Sequence, residues 1–157
     1  MNRRSFIFLG AGTITSCLCA NESEKKWRIL QSVQNHIFPK NGSFPSAEEF
    51  SSIRYLKIVS SHPSFDKDDL RFIFDGVDEI VRVGWKNTLA KDEKEKIMMN
   101  FSKTTFGKNW ISTVLNYTLE ALLSDPLYGG NVAQKGWRSL DHKAGIPRPT
   151  VRFAKLP

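Results

Sequence analysis

Three histidines, His36, His62 and His142, are the side chains most able to bind a metal or move protons near neutral pH. No two of them stand three or four residues apart, so no pair shares a helix face in the spacing that holds zinc. His36 falls near a helix end, His62 precedes Pro63 and His142 lies in the C-terminal tail; surface or capping roles account for all three. The adjacent acids Asp68-Asp69 and Asp92-Glu93 sit where helices start, and there negative charge complements the exposed amide end. They do not make an acid–base pair. No serine stands in a Gly-x-Ser-x-Gly elbow. Cys17 and Cys19 both precede Ala20, so the chain beyond has no thiol for a disulfide, an iron–sulfur cluster or haem attachment. The sequence therefore assigns no catalytic, cofactor-binding or metal-binding residue, and it argues against an independent enzyme.

The N-terminus carries export chemistry. Arg3-Arg4, with Phe6 two residues on, opens an apolar stretch over 6–18 that also holds Gly10, Gly12, Thr13 and Thr15. A membrane-spanning helix needs about 20 apolar residues, so this stretch is too short. It fits a charged n-region followed by an h-region, and the paired arginines select the twin-arginine (Tat) route. Gly10-Ala11-Gly12 is not a dinucleotide fingerprint, because Thr15 stands where the third glycine belongs and no βαβ unit surrounds it. Two processing outcomes stay open. Ile14-Thr15-Ser16-Cys17 resembles a lipobox, which would make Cys17 a lipidated N-terminus; this is the preferred reading. The alternative is cleavage after Ala20.

The elements that follow read as helices. Trp27, Leu30, Val33 and Ile37 recur at helical spacing over 24–38, and Pro39 closes that helix. Ser46 and Glu49 form a capping box for a second helix, which buries Phe50, Ile53 and Leu56 and ends before His62-Pro63. Asp66 caps a third, with Leu70, Ile73, Phe74, Val77, Ile80, Val81 and Trp85 as its inward stripe and Gly76 and Gly84 as points of close packing. A fourth over 91–102 buries Ile97, Met98 and Phe101. A fifth opens at Gly107, turns Trp110, Val114, Leu115, Thr118 and Leu122 to one face, and stops at Asp125-Pro126. No segment alternates with period two.

The predicted fold is all-α: a small irregular domain of about five helices over 21–128, after an export segment over 1–20. A long non-regular C-terminal segment follows over 129–157. The length of 157 residues suits one domain with a real core. The formal net charge is +7, of which Arg3 and Arg4 supply two units; the remainder is dispersed and interleaved with acids, which argues against a nucleic-acid partner.

The most informative stretch is Ser124-Asp125-Pro126-Leu127-Tyr128-Gly129-Gly130-Asn131, with Gly136-Trp137 behind it. Gly129-Gly130-Asn131 tolerates positive φ, so a tight irregular loop is expected. A plain linker would not carry Tyr128 and Trp137. Two readings are open: a loop pinned onto its own domain, or a loop presenting aromatic anchors to a partner.

This run, together with Gly145-x-Pro147, resembles the C-terminal signature of the gluconate 2-dehydrogenase subunit 3 family. His36-Ile37-Phe38-Pro39 is similar to the family's first apolar stretch ending in proline. The resemblance implies an all-helical, non-catalytic small subunit that accompanies a large FAD-containing subunit of the glucose-methanol-choline type. It further implies no cofactor on this chain itself and FAD on the large subunit; in the family a multihaem cytochrome c, carrying haem c, often but not always completes the complex, and the resemblance leaves its presence here open. In this picture the small subunit takes the large one through the Tat translocase, supports its folding, and resides in the periplasm, peripheral to or lipid-anchored at the membrane. The implied partner interface is Asp125, Pro126, Tyr128, Gly129, Gly130, Asn131, Gly136 and Trp137. The loop after Pro39 lacks the acidic residue expected there, and the tail beyond Gly145 is basic. The rival expectation is a free-standing exported lipoprotein with a ligand-binding or scaffold role.

Overall fold

A 27-residue helix, α1 (Ala11–Ile37), runs through the fold and touches every long helix that follows. The computed structural model describes residues 11–151, with side chains from Glu22 onward. Arg3, Arg4 and Phe6 lie outside the described residues, and Cys17 falls within the backbone of α1. The helix expected over 24–38 thus extends upstream to Ala11, with no proline in that stretch to stop it.

After α1 come α2 (Ser52–Ser60), α3 (Lys67–Arg82), α4 (Lys91–Phe101), α5 (Thr105–Leu123) and a short α6 (Lys135–Ser139). Among the described residues there is no strand, only an isolated bridge between Asn41 and Phe44. No helix among them is long and apolar enough to cross a membrane. The all-α expectation holds.

Local chemistry sets most boundaries. The Asp66 side chain accepts from the Asp68 amide at 2.8 Å and starts α3. Thr104 does the same for α5, accepting from the Gly107 amide at 2.9 Å, so α5 begins at Thr105 rather than at Gly107. The Ser46–Glu49 box forms reciprocally, at 2.9 and 3.2 Å, but it caps a single turn. Ser51 adopts a left-handed backbone (φ 63°) and breaks the chain's path before α2 begins at Ser52. That conformation costs a non-glycine residue about 1 kcal/mol. The turn buries Ala47 and Phe50.

The expected stripe of α3 needs three corrections. Val81 is 41 % exposed rather than inward, because it lies just off the face defined by Ile73, Val77 and Ile80. Trp85 is buried but lies beyond the helix. Gly84 is not a packing point: at φ 108° it is the left-handed residue that ends α3. The Gly84 amide bonds Val81 O and the Trp85 amide bonds Ile80 O, both at 3.0 Å, which is the Schellman closure. Gly76 does mark close packing. A Cβ there would sit 2.0 Å from the Trp110 ring, whose indole N–H donates to Ile73 O at 2.9 Å.

The main core gathers Trp27, Leu30 and Val33 of α1 with the inner faces of α3, α4 and α5. A buried polar knot crosses it. Gln34 donates to Thr118 Oγ1 at 2.9 Å, Ser52 Oγ donates to Gln34 Oε1 at 2.8 Å, and Thr118 donates onward to Val114 O at 2.7 Å. Gln34, Ser52 and Thr118 are all buried, and the knot ties α1, α2 and α5 together.

Candidate functional site

α5 ends where Ser124 turns extended (ψ 159°), and Asp125 stays extended (ψ 135°), the conformation that a residue before proline favours. Asp125 then caps the next turn: its Oδ1 accepts from the Leu127 amide at 2.9 Å, with Pro126 at the first position of a 3-10 turn over Pro126–Tyr128. Gly129 follows at φ 91°, and a Cβ there would lie 2.5 Å from Ile58 of α2. Gly130 and Gly136 have the same spatial reason from α5, with would-be Cβ atoms 2.5 Å from Ala121 O and 2.1 Å from Leu122 O.

Asn131 is fully buried, at φ 44°. Its Nδ2 donates to Ser124 O at 3.0 Å and its Oδ1 accepts from the Gly136 amide at 2.8 Å. Trp137, 7 % exposed, donates from Nε1 to Leu123 O at 2.8 Å. The last carbonyls of a helix have no intrahelical donors, and here Asn131 and Trp137 supply them at the end of α5. Ala133 and Gln134 also have positive φ, 55° and 59°. Residues of these types cost about 1 kcal/mol or more each in such conformations. The Asn131 and Trp137 bonds hold them there.

The eight residues of the expected partner interface thus form one folded unit against α5 and α2. Asn131, Gly130, Gly136 and Trp137 turn inward, the Asn131 bonds run within the chain, and the Trp137 ring closes this domain's own surface. Pro126 and Tyr128 stay half-buried at the rim. The tail expected to be wholly irregular contains α6, whose single turn and a half is too short to stand alone and is fixed by Gly136 and Trp137 packing on α5.

The sequence reading did not anticipate Arg148. Its guanidinium donates twice to Asp125, Nε to Oδ2 and Nη2 to Oδ1, each at 3.0 Å, and lies 5.2 Å from the Trp137 ring centroid. This contact holds the Asp125 carboxyl below its usual range, the arginine hydrogen bond acting first and the Leu127 amide adding to it. His142 meets the Trp137 ring edge-on at 5.8 Å. The other two histidines are similarly engaged: His36 Nε2 meets Glu95 at 2.9 Å, and His62 Nδ1 pairs with Ser64. Among the described residues no group of three His, Cys, Asp or Glu side chains could hold a metal ion.

No family model, no curated protein and no solved structure matches this chain.

Proposed function

We propose that this chain is the non-catalytic small subunit of an exported FAD-dependent dehydrogenase of the glucose-methanol-choline type, similar to gluconate 2-dehydrogenase. In this reading it carries the large flavoprotein through the Tat translocase and supports its folding, with the flavin held by the partner and haem c by a third subunit where one completes the complex. The observation that carries it is the combination of the Arg3-Arg4 start with the run Asp125-Pro126-x-Tyr128-Gly129-Gly130-Asn131 and Gly136-Trp137. It gains support from the way those residues close one structural unit on α5 instead of trailing as a linker.

The same geometry moves the partner contact outward. With Trp137 and Asn131 occupied internally, the apolar surface this unit offers is Leu123, Leu140 and Ile146, which are 50, 51 and 94 % exposed. Large apolar side chains left exposed beside a closed structural unit are candidates for a protein interface.

The test is an affinity pull-down of the tagged chain from envelope extract, read by flavin absorbance and mass spectrometry. A flavoprotein should co-purify, and it should vanish from the periplasm when Arg3 and Arg4 become lysine. Leu140→Asp should cut co-purification while leaving the subunit's own melting unchanged. A colourless lone protein would overturn the proposal in favour of the free-standing exported lipoprotein.

A further inference from the structure

The face of α1 turned away from the core has its own architecture. Arg28, Gln31, Ser32, Asn35 and His36 follow the i, i+3, i+4, i+7, i+8 spacing that puts side chains in one stripe. A stripe of this composition would ordinarily be a solvated surface. Here Asn87, Lys91 and Lys94, from the loop before α4 and its first turn, rise beside it as a second wall, and Pro39 and Glu48 close one end. The resulting cleft measures about 590 Å³. Small-molecule sites span roughly 300–1,000 Å³.

Several of its polar groups are fixed in place. Lys94 Nζ donates to Asn87 O at 2.9 Å and lies 5.6 Å from the Trp85 ring centroid. The His36 side chain is only 7 % exposed, bonded to Glu95 at 2.9 Å and T-shaped against the same Trp85. Asn35 accepts from the Glu48 amide at 2.8 Å and donates to its carboxylate at 3.3 Å, which orients the one acid lining the cleft; its charge is outnumbered there by Arg28, Lys91 and Lys94. Arg28 and Lys91 have no hydrogen bond or salt bridge among the described residues. Gln31 and Ser32 keep their side-chain groups unpaired there as well. The cleft therefore sets three cations, one of them immobilised, beside a row of free amide and hydroxyl groups.

We propose that this cleft binds a small polyhydroxylated anion, the chemistry shared by sugar phosphates and sugar acids. Arg28, Lys91 and Lys94 take the anionic head, and Gln31 and Ser32 exchange hydrogen bonds with hydroxyls. The proposal does not depend on the subunit assignment, because the cleft lies on α1 and α4, away from the Asp125–Trp137 unit.

The experiment is an amide-resolved NMR titration of the full chain with glucose 6-phosphate, glucuronate, inorganic phosphate and glucose. Glucose 6-phosphate or glucuronate should shift α1 and α4 amides saturably, inorganic phosphate should bind more weakly, and neutral glucose should not bind. The tighter of the two sugars identifies the head group. Arg28→Ala and Lys91→Ala should each weaken binding about tenfold, the worth of one charge-assisted hydrogen bond, without changing the melting temperature. Absence of saturable shifts, shifts centred elsewhere, inorganic phosphate binding as tightly as both sugars, or variants that bind as the parent does would each overturn it.

Discussion

Arg148 grips Asp125 with two parallel hydrogen bonds, both at 3.0 Å, across 23 residues of chain, and covers the Trp137 ring as it does so. Bidentate guanidinium–carboxylate pairs are directional as well as charged. This one holds the end of the described chain against the loop that closes α5.

Breaking the grip should free the tail and spare the bundle. In Arg148→Ala, trypsin should cut after Lys143 and Arg138 faster than in the parent, while melting of the helical core stays close to the parent value. Acid should do the same. The folded Asp125 carboxyl titrates below its ordinary value, so its contribution is complete above that value and is lost as pH falls through the lower, folded one. Tail protection measured by hydrogen exchange should therefore fall in that acidic window and show no such step in Asp125→Asn.

Gly76→Ala should be among the most damaging single-methyl additions to this fold. The new Cβ would need the space of the Trp110 ring, which is fully buried and bonded to Ile73 O. Overpacking of this kind costs about 3 kcal/mol, measurable by chemical denaturation.

The Gln34 knot should reveal itself through non-additivity. Gln34→Leu leaves the buried Ser52 hydroxyl without its acceptor and should cost about 2 kcal/mol. Replacing all three partners together (Gln34→Leu, Ser52→Ala, Thr118→Val) removes every orphaned group and should restore most of that loss.

Tyr55 should resist ionisation. Burial chiefly, then the nearby Glu120 carboxylate that its hydroxyl donates to, pushes its phenol from 10.0 up to about 12. Tyr117, which donates to Asp69, is also raised, by burial first. Stability from Tyr55 is complete below pH 10 and declines as pH climbs towards about 12, because the unfolded chain ionises first. A phenolate-absorbance titration should show late ionisation of both tyrosines, of which Tyr55→Phe removes one part and leaves that of Tyr117.

What the sequence disclosed follows the range of the interactions. The apolar stripes of α1, α3 and α5 and the caps at Asp66 and Ser46 are written within a few residues of where they act, and they were legible. The fate of Ser51 was not, since nothing local demands a left-handed serine; burial of Ala47 and Phe50 beside it does. Gly84 looked like a packing glycine because a stripe ending in Trp85 mimics continued helix, whereas the Schellman turn buries Trp85 equally well. α6 has too few residues for a periodic signal and exists through Asn131 and Trp137. The Arg148 grip and the cleft along α1 join residues far apart in sequence, so no spacing announces either.

The bond between Gln34 and Thr118 spans 84 residues and joins the last turn of the first helix to the later part of the last long one. A nascent chain that has not yet released α5 can hold Gln34 only in a half-built interior, with its amide facing no acceptor. Native structure in this protein must therefore be completed after synthesis has passed Thr118, late in the chain. An N-terminal fragment, however helical, would be an unfinished bundle with an exposed seam where α5 belongs.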